Sequence, residues 1–165
     1  MYRQRKRDWT PFDKTFAAQE GNFMTEIRKN TLTAAEFHAL YTSVGWDAPA
    51  MEQIEVALTH SAAVFAAYDT ACNRPVGMAR LIGDGGMSFY IKDFAVLPEY
   101  QHCCIGSLLM RAVKDYIRAV IADGWAVSLE CISTPDAVPF YEKHGFEPRP
   151  NVRDGPGMMQ MLCKE

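Results

Sequence analysis

Long apolar runs are missing from this chain. None approaches the ~18 residues that a membrane-spanning helix needs, so no membrane association is expected. Cysteine is sparse. Cys72, Cys103, Cys104, Cys131 and Cys163 make five, an odd count with no CxxC spacing. That argues against a disulfide framework and a structural zinc site, and points to a reducing, cytoplasmic compartment. The four histidines, His38, His60, His102 and His144, form no HxxxH arrangement, so no metal is expected. No Gly-x-x-x-x-Gly-Lys-Ser/Thr loop is present, which places a nucleotide-phosphate binder of that kind low. Basic charge is also scarce: 17 Lys and Arg stand against 20 Asp and Glu. No nucleic-acid-binding surface is expected from that balance. Four of the basic residues, Arg3, Arg5, Lys6 and Arg7, crowd into the first seven positions and leave the remainder at −7 against −3 for the whole. No apolar segment comes after them, because Pro11, Asp13 and Lys14 interrupt it, so a signal peptide is not expected.

What is present is ordinary globular material. The chain has 165 residues, 48 % hydrophobic and 22 % charged, enough for one domain with a self-sufficient core. Residues 1–23 are polar, basic and aperiodic and read as a flexible extension; residues 24–165 read as the domain. A weak strand signal covers 24–30. Thr33 and Glu36 form a capping box, and Phe37, Leu40, Tyr41 and Val44 come next at helical spacing until Gly45. A second helix is expected over about 50–60. Strands are expected over 62–69, 75–82 and 87–97, with Gly83 to Gly86 as a turn between the last two. Ile105, Leu108, Leu109, Ala112, Val113, Tyr116, Ile117 and Val120 then mark the clearest helix, ending near Asp123 and Gly124. A buried strand is expected over 125–132. Strand, loop, helix and strand over 87–132 make a right-handed βαβ crossover with parallel strands. A short helix from Pro135 to about His144 and two closing strands, from Phe146 onward and over 158–163, complete the reading.

One connection carries chemical interest. Residues 97–109 join the long strand to the strongest helix. Their backbone N–H groups sit at a helix N-terminus, a natural place for phosphate, and Gly106 would let a ligand approach the backbone. Taken alone, this is also what an ordinary strand-to-helix connection looks like.

Two segments resemble a known family. Asp93-Phe-Ala-Val-Leu-Pro-Glu-Tyr-Gln101, together with Cys104-Ile-Gly106-Ser-Leu-Leu, resembles motif A of the GCN5-related N-acetyltransferases. That motif runs strand, then Gln/Arg-x-x-Gly-x-Gly/Ala, then helix. Pro139-Phe-Tyr-Glu-Lys-His-Gly-Phe146 resembles the family's FYEKxGF signature, in the right order and at the right spacing. Cys104 departs from the pattern, where glycine is usual; Thr134 stands where the family often has asparagine. The resemblance implies an α/β (α+β) fold with a central mixed, mostly antiparallel sheet of about six or seven strands. It also implies a parallel βαβ crossover at the sheet's centre and about four helices.

The resemblance further implies acetyl-CoA as cosubstrate and direct transfer to a primary amine in a ternary complex. By position, Gln101, His102, Cys103, Cys104, Ile105, Gly106 and Ser107 would cradle the pyrophosphate, with Thr134 a further contact. Ala95, Val96 and Leu97 would run along the pantetheine arm, with a backbone N–H near Val96 as oxyanion donor. Tyr141 stands where the family places the thiolate's proton donor or hydrogen-bond partner; packing alone is the alternative. Asp93 and Glu130 are candidate bases, directly or through water, because an alkylammonium must lose a proton before it attacks. A charged strand residue facing solvent is the plainer reading of each. An acetyl-cysteine at Cys131 ranks low, since buried cysteine commonly packs as a small hydrophobe.

For the acceptor, Tyr41, Trp46 and Asp47, with Phe89 or Tyr90, would line an aromatic pocket with a carboxylate for an ammonium. The loop over about 151–157 would close it. A small amine or aralkylamine is the first expectation, a protein lysine or N-terminus the second, and a non-catalytic CoA-binding module the third. A homodimer is possible by analogy with the family.

Overall fold

The computed structural model describes residues 17–20 and 23–161. Six strands form one sheet in the order of the chain: β1 (Ala17–Glu20), β2 (Phe23–Lys29), β3 (Ala63–Asp69), β4 (Arg74–Gly83), β5 (Ser88–Val96) and β6 (Ser128–Cys131). The first five are antiparallel in succession, and β5 and β6 are parallel. The α-helices are α1 (Ala34–Ser43), α2 (Met51–His60), α3 (Ile105–Val120) and α4 (Val138–Lys143), with 3₁₀ turns at Pro98–Tyr100 and Pro135–Ala137. No helix among the described residues is long and apolar enough to cross a membrane. The basic extension expected over residues 1–23 lies outside the described residues except for Ala17–Glu20, which pair with β2, and Phe23, which opens β2.

Local sequence sets most of these elements. The Thr33 hydroxyl accepts from the Glu36 N–H, and the Glu36 carboxylate accepts from the Thr33 N–H at 2.9 Å. This reciprocal cap starts α1. Every residue of β3 is buried, because helices cover both faces of the sheet. Ala63, Phe65 and Ala67 pack with Val76, Leu81 and the apolar stripe of α3. Val64, Ala66 and Tyr68 pack with Phe37, Leu40 and Ile54 of α1 and α2. The turn between β4 and β5 is held by Asp84, whose carboxylate accepts from the N–H groups of Gly86, Met87 and Ser88. Those bonds hold its carboxyl down to about 2.

A bulge in β5 re-aims the site. Leu81 pairs with Ile91, yet Arg80 pairs with Asp93, so Lys92 is the extra residue. The slip of one moves the residues beyond it to opposite faces. Ile91 belongs to the α3 face, whereas Ala95, two beyond Asp93, belongs to the α1–α2 face.

Two expectations fail at the C-terminal end. The strand expected over 125–132 shrinks to four half-buried residues, and Trp125 is exposed. The two closing strands are absent from the described residues after Gly145. Pro148, Pro150 and Pro156 bring no N–H to a ladder, and Gly155 and Gly157 weaken one. Asn151 instead makes a turn, its carboxamide oxygen accepting from Arg153 and Asp154 N–H. Met158, Met159 and Met161 are exposed. The parallel pair therefore stands at one end of the six-stranded order rather than at its centre.

Candidate active site

The β5–β6 pairing ends at Ile91 and Cys131. Beyond it, no described strand lines that side of β5. Leu97 donates its N–H to the Val76 carbonyl at 2.9 Å. By strand alternation the Val96 N–H and C=O then point the other way, toward the open edge. Ala95 and Leu97 pack into the α1–α2 face. The expected pantetheine-binding strand and oxyanion donor thus fall where β5 presents an unpaired edge. Gln101 donates from Nε2 to the Val96 carbonyl at 3.1 Å, so its side chain braces this edge.

The turn from β5 to α3 is built on left-handed residues. His102 (φ 62°) and Cys104 (φ 57°) both have positive φ. Cys104 is the N-cap of α3 and makes no side-chain cap bond. The first helical bond runs from the Leu108 N–H to the Cys104 carbonyl, which leaves the N–H groups of Ile105, Gly106 and Ser107 without helical acceptors. Gln101, His102 and Cys104 are exposed, Cys103 is half-buried, and Ile105 is anchored in the core. An anion fits this cradle: unbonded donors and the positive end of a 16-residue helix face one loop.

Position 106 also packs tightly against α4. A Cβ there would lie 3.1 Å from Cε2 and 3.3 Å from Cζ of Phe140. The missing side chain leaves room for the Phe140 ring of α4. Phe140 in turn packs on Phe94 and Tyr141, with ring centroids 5.4 and 5.3 Å apart. Tyr141 also meets Phe94 and Phe146 edge-on. This aromatic cluster fixes Tyr141 beside the open edge of β5. Burial, with lesser contributions from Cys131 and Tyr90, pushes its phenol well above the ordinary tyrosine range. Burial likewise pushes the Cys131 thiol up to about 11. Thr134 is exposed and caps the 3₁₀ turn with its backbone.

The two candidate bases differ sharply. Asp93 is buried, and its Oδ2 accepts from Arg80 Nε at 2.5 Å; the side chains are 7 % and 12 % exposed. Arg80 also donates to the Ser61 hydroxyl at 3.3 Å. Glu130 is not buried: its side chain is 42 % exposed, 4.0 Å from Arg149. Arg80 was not legible as a site residue, because its pairing with Asp93 depends on the bulge register.

Tyr41 and Trp46 do come together, edge-to-face at 4.9 Å, and Tyr41 stacks on Phe37. Burial and the Asp93 charge raise the Tyr41 phenol, with Arg80 acting in the opposite sense. Tyr41, Trp46, Asp93 and Arg80 therefore form one neighbourhood on the α1–α2 face. Asp47 is exposed, and no described contact ties it to them. Phe89 lies on the opposite face, inside the α3 core. No group of three or more metal-ligating side chains occurs among the described residues.

Comparison with known proteins gives a consistent picture. A family model described as "Acetyltransferase (GNAT) domain" matches residues 60–148. An uncharacterized N-acetyltransferase of Porphyra purpurea is 28 % identical over 153 residues, spanning 91 % of this chain and 82 % of that protein. Serotonin N-acetyltransferase 2 of Oryza sativa subsp. japonica, a chloroplastic protein, is 28 % identical over 145 residues, 87 % of this chain and 70 % of that one. Among solved structures, a GNAT-family acetyltransferase of Streptococcus pneumoniae superposes with a TM-score of 0.70. It is 31 % identical and covers 86 % of this chain and all of that one (100 %).

Proposed function

The chain belongs to the GNAT acetyltransferases, and from that premise we propose that it carries the acetyl group of acetyl-CoA directly to a small primary amine, with aralkylamines favoured. Membership makes it an acyltransferase of the N-acetyltransferase kind. The observation that carries the finer reading is the convergence of three features: the open edge of β5 at Val96, the anion-suited turn into α3, and the buried phenol of Tyr141.

Bound acetyl-CoA supplies a thioester carbonyl to be attacked and a thiolate to depart. Ile105, Gly106 and Ser107 offer backbone donors to the pyrophosphate, and the β5 edge at Ala95–Leu97 offers strand-like pairing to the pantetheine. The Val96 N–H is aimed to stabilise the developing oxyanion. Tyr141 keeps its proton throughout the neutral range. Transfer of that proton to a thiolate of ordinary thiol basicity (about 8.5) runs uphill. Its role is therefore hydrogen-bond donor to the departing sulfur. Asp93 is the carboxylate assigned to the acceptor amine's proton, directly or through one water, because it shares a neighbourhood with Tyr41 and Trp46. Glu130, exposed and outside that neighbourhood, is the weaker candidate. The high Cys131 pKa disfavours an acetyl-cysteine, since the thiolate is the nucleophilic form.

The aromatic pair beside a carboxylate suits an acceptor with a ring and an ammonium. The rice relative, by its name, acetylates such an amine. Melting curves with acetyl-CoA, CoA and ATP as separate ligands test the cosubstrate. A ligand at ~100 times its dissociation constant adds about 2.7 kcal/mol. A rise with acetyl-CoA and CoA but not with ATP is expected; equal rises with all three, or none, would overturn the reading.

A further inference from the structure

The link between α4 and the first turn of α3 has no part in the acetyl transfer itself. His144, the C-cap of α4, lies with Nε2 3.2 Å from the Ser107 hydroxyl in hydrogen-bond contact. Ser107 is the third residue of α3, where the unbonded N–H groups gather. The contact is rigidly held. The His144 carbonyl accepts from Lys114 Nζ of α3, its N–H donates to the Tyr141 carbonyl at 2.9 Å, and its ring packs on Phe140 at 4.7 Å. The backbone bonds fix where the His144 side chain starts, and the Phe140 ring packs on the imidazole beside the hydroxyl.

We propose that His144 is a positioning residue for the cosubstrate's phosphates, acting through Ser107, and that a proton on His144 tightens their binding. The proposal rests on the acetyl-CoA reading given under the proposed function. A hydroxyl has one proton and two lone pairs. When Nε2 carries no proton it accepts a hydrogen bond from the hydroxyl, and Ser107 turns lone pairs toward an incoming phosphate. When the imidazole is protonated, Nε2–H donates to Oγ, and the hydroxyl hydrogen is released to the phosphate. The bound phosphates then see a donor from Ser107 and a cation one bond behind it.

The surroundings set the direction of the linkage. Burial holds the His144 pKa below the ordinary histidine value, and Lys114 on α3 and Lys143 on its own helix push the same way. These are the charged groups that act on it. A dianionic pyrophosphate opposes those cations, so the pKa rises when the ligand is bound. A group with a higher pKa in the complex takes up a proton on binding. The advantage is complete below the free-state pKa and lost as pH rises through the bound-state value. Each unit of separation is a tenfold change in affinity.

Calorimetric titration of the full chain with CoA tests this, at pH 6 and pH 8 and in two buffers of different ionisation heat. Wild type is compared with His144→Gln, which keeps an N–H donor but cannot take up a proton, and with Ser107→Ala. The 3′-phosphate of CoA titrates in the same range, but it contributes equally to all three proteins. The expected result is greater proton uptake at pH 6 by wild type than by either variant. Wild-type affinity should also weaken several-fold more between pH 6 and pH 8. Equal uptake and parallel pH profiles in wild type and variants would overturn the proposal. Failure of wild type to bind CoA at either pH would overturn the cosubstrate reading instead. Should His144→Gln melt far below wild type, Ser107→Ala, which removes one oxygen from a helix, carries the same comparison.

Discussion

Replacing Cys104 by glycine is expected to stabilise the protein while leaving its cosubstrate cradle intact. Cys104 holds φ at 57° and ψ at 2°, in the region that an L side chain enters only at a cost of roughly 1–2 kcal/mol. Glycine removes that strain but adds backbone freedom to the unfolded chain, which offsets about 0.5–1 kcal/mol. Taking the middle of each range, the net gain is about 0.7 kcal/mol. For a domain of this size that corresponds to a melting-temperature rise of roughly 1–4 °C. Urea unfolding gives the free energy directly, and an unchanged slope shows that the unfolded state is comparable. Cys104→Ala is the control, because it removes the thiol and keeps the Cβ that causes the strain; it should change stability by less than half as much. A loss of stability in the glycine variant would refute the reasoning. So would equal gains in both variants, since the thiol rather than the backbone would then be responsible.

Other positions respond in ways that can be measured as directly. Gly106→Ala should destabilise by about 1–3 kcal/mol, because the added Cβ meets the Phe140 ring; a neutral result in urea unfolding would show that α4 shifts freely. Arg80→Met strands the buried Asp93 carboxylate and should cost about 3–5 kcal/mol, with Arg80→Met/Asp93→Leu recovering much of it; equal losses in single and double variants would contradict that. Tyr141→Phe should leave the fold intact but lower kcat more than it raises KM, so an unchanged kcat would reduce Tyr141 to packing. Asp69 accepts from the Ala71 N–H and the Tyr100 hydroxyl, which lower its pKa. Its stabilisation is present above the unfolded carboxylate value of about 3.9 and is lost as pH falls through the lower folded value. Asp69→Asn should therefore flatten the acid limb of the stability curve below about pH 4, and an unaltered limb would argue against it.

Much of this site could be read from the chain because it is local. A strand, a turn and a helix contiguous from Asp93 to Leu109, and a short helix carrying Tyr141, announce themselves by spacing. The Thr33–Glu36 cap is local too. The misreadings were non-local. Whether Asp93 or Phe94 faces the acceptor side depends on a bulge at Lys92, and a bulge leaves no mark in an alternating pattern. Arg80 is 13 residues from Asp93 in sequence and opposite it only in that register. The packing of Phe140 against Gly106 was not legible either, since Phe140 arrives from a distant segment. The Ser107–His144 contact bridges two helices that the sequence places apart, and nothing in either segment names the other. Beyond Gly145 the chain reads as two closing strands, but prolines and an asparagine-centred turn intervene.

Initial rates of CoA release test the central claim most directly, with acetyl-CoA and a primary aralkylamine such as tryptamine varied together against a lysine-containing peptide. Turnover with the aralkylamine, double-reciprocal lines that intersect, and a lower kcat/KM for the peptide are the predicted result. Parallel lines would mean an acetylated enzyme rather than direct transfer. No release with any amine, from protein whose melting temperature acetyl-CoA raises, would contradict the claim of catalysis.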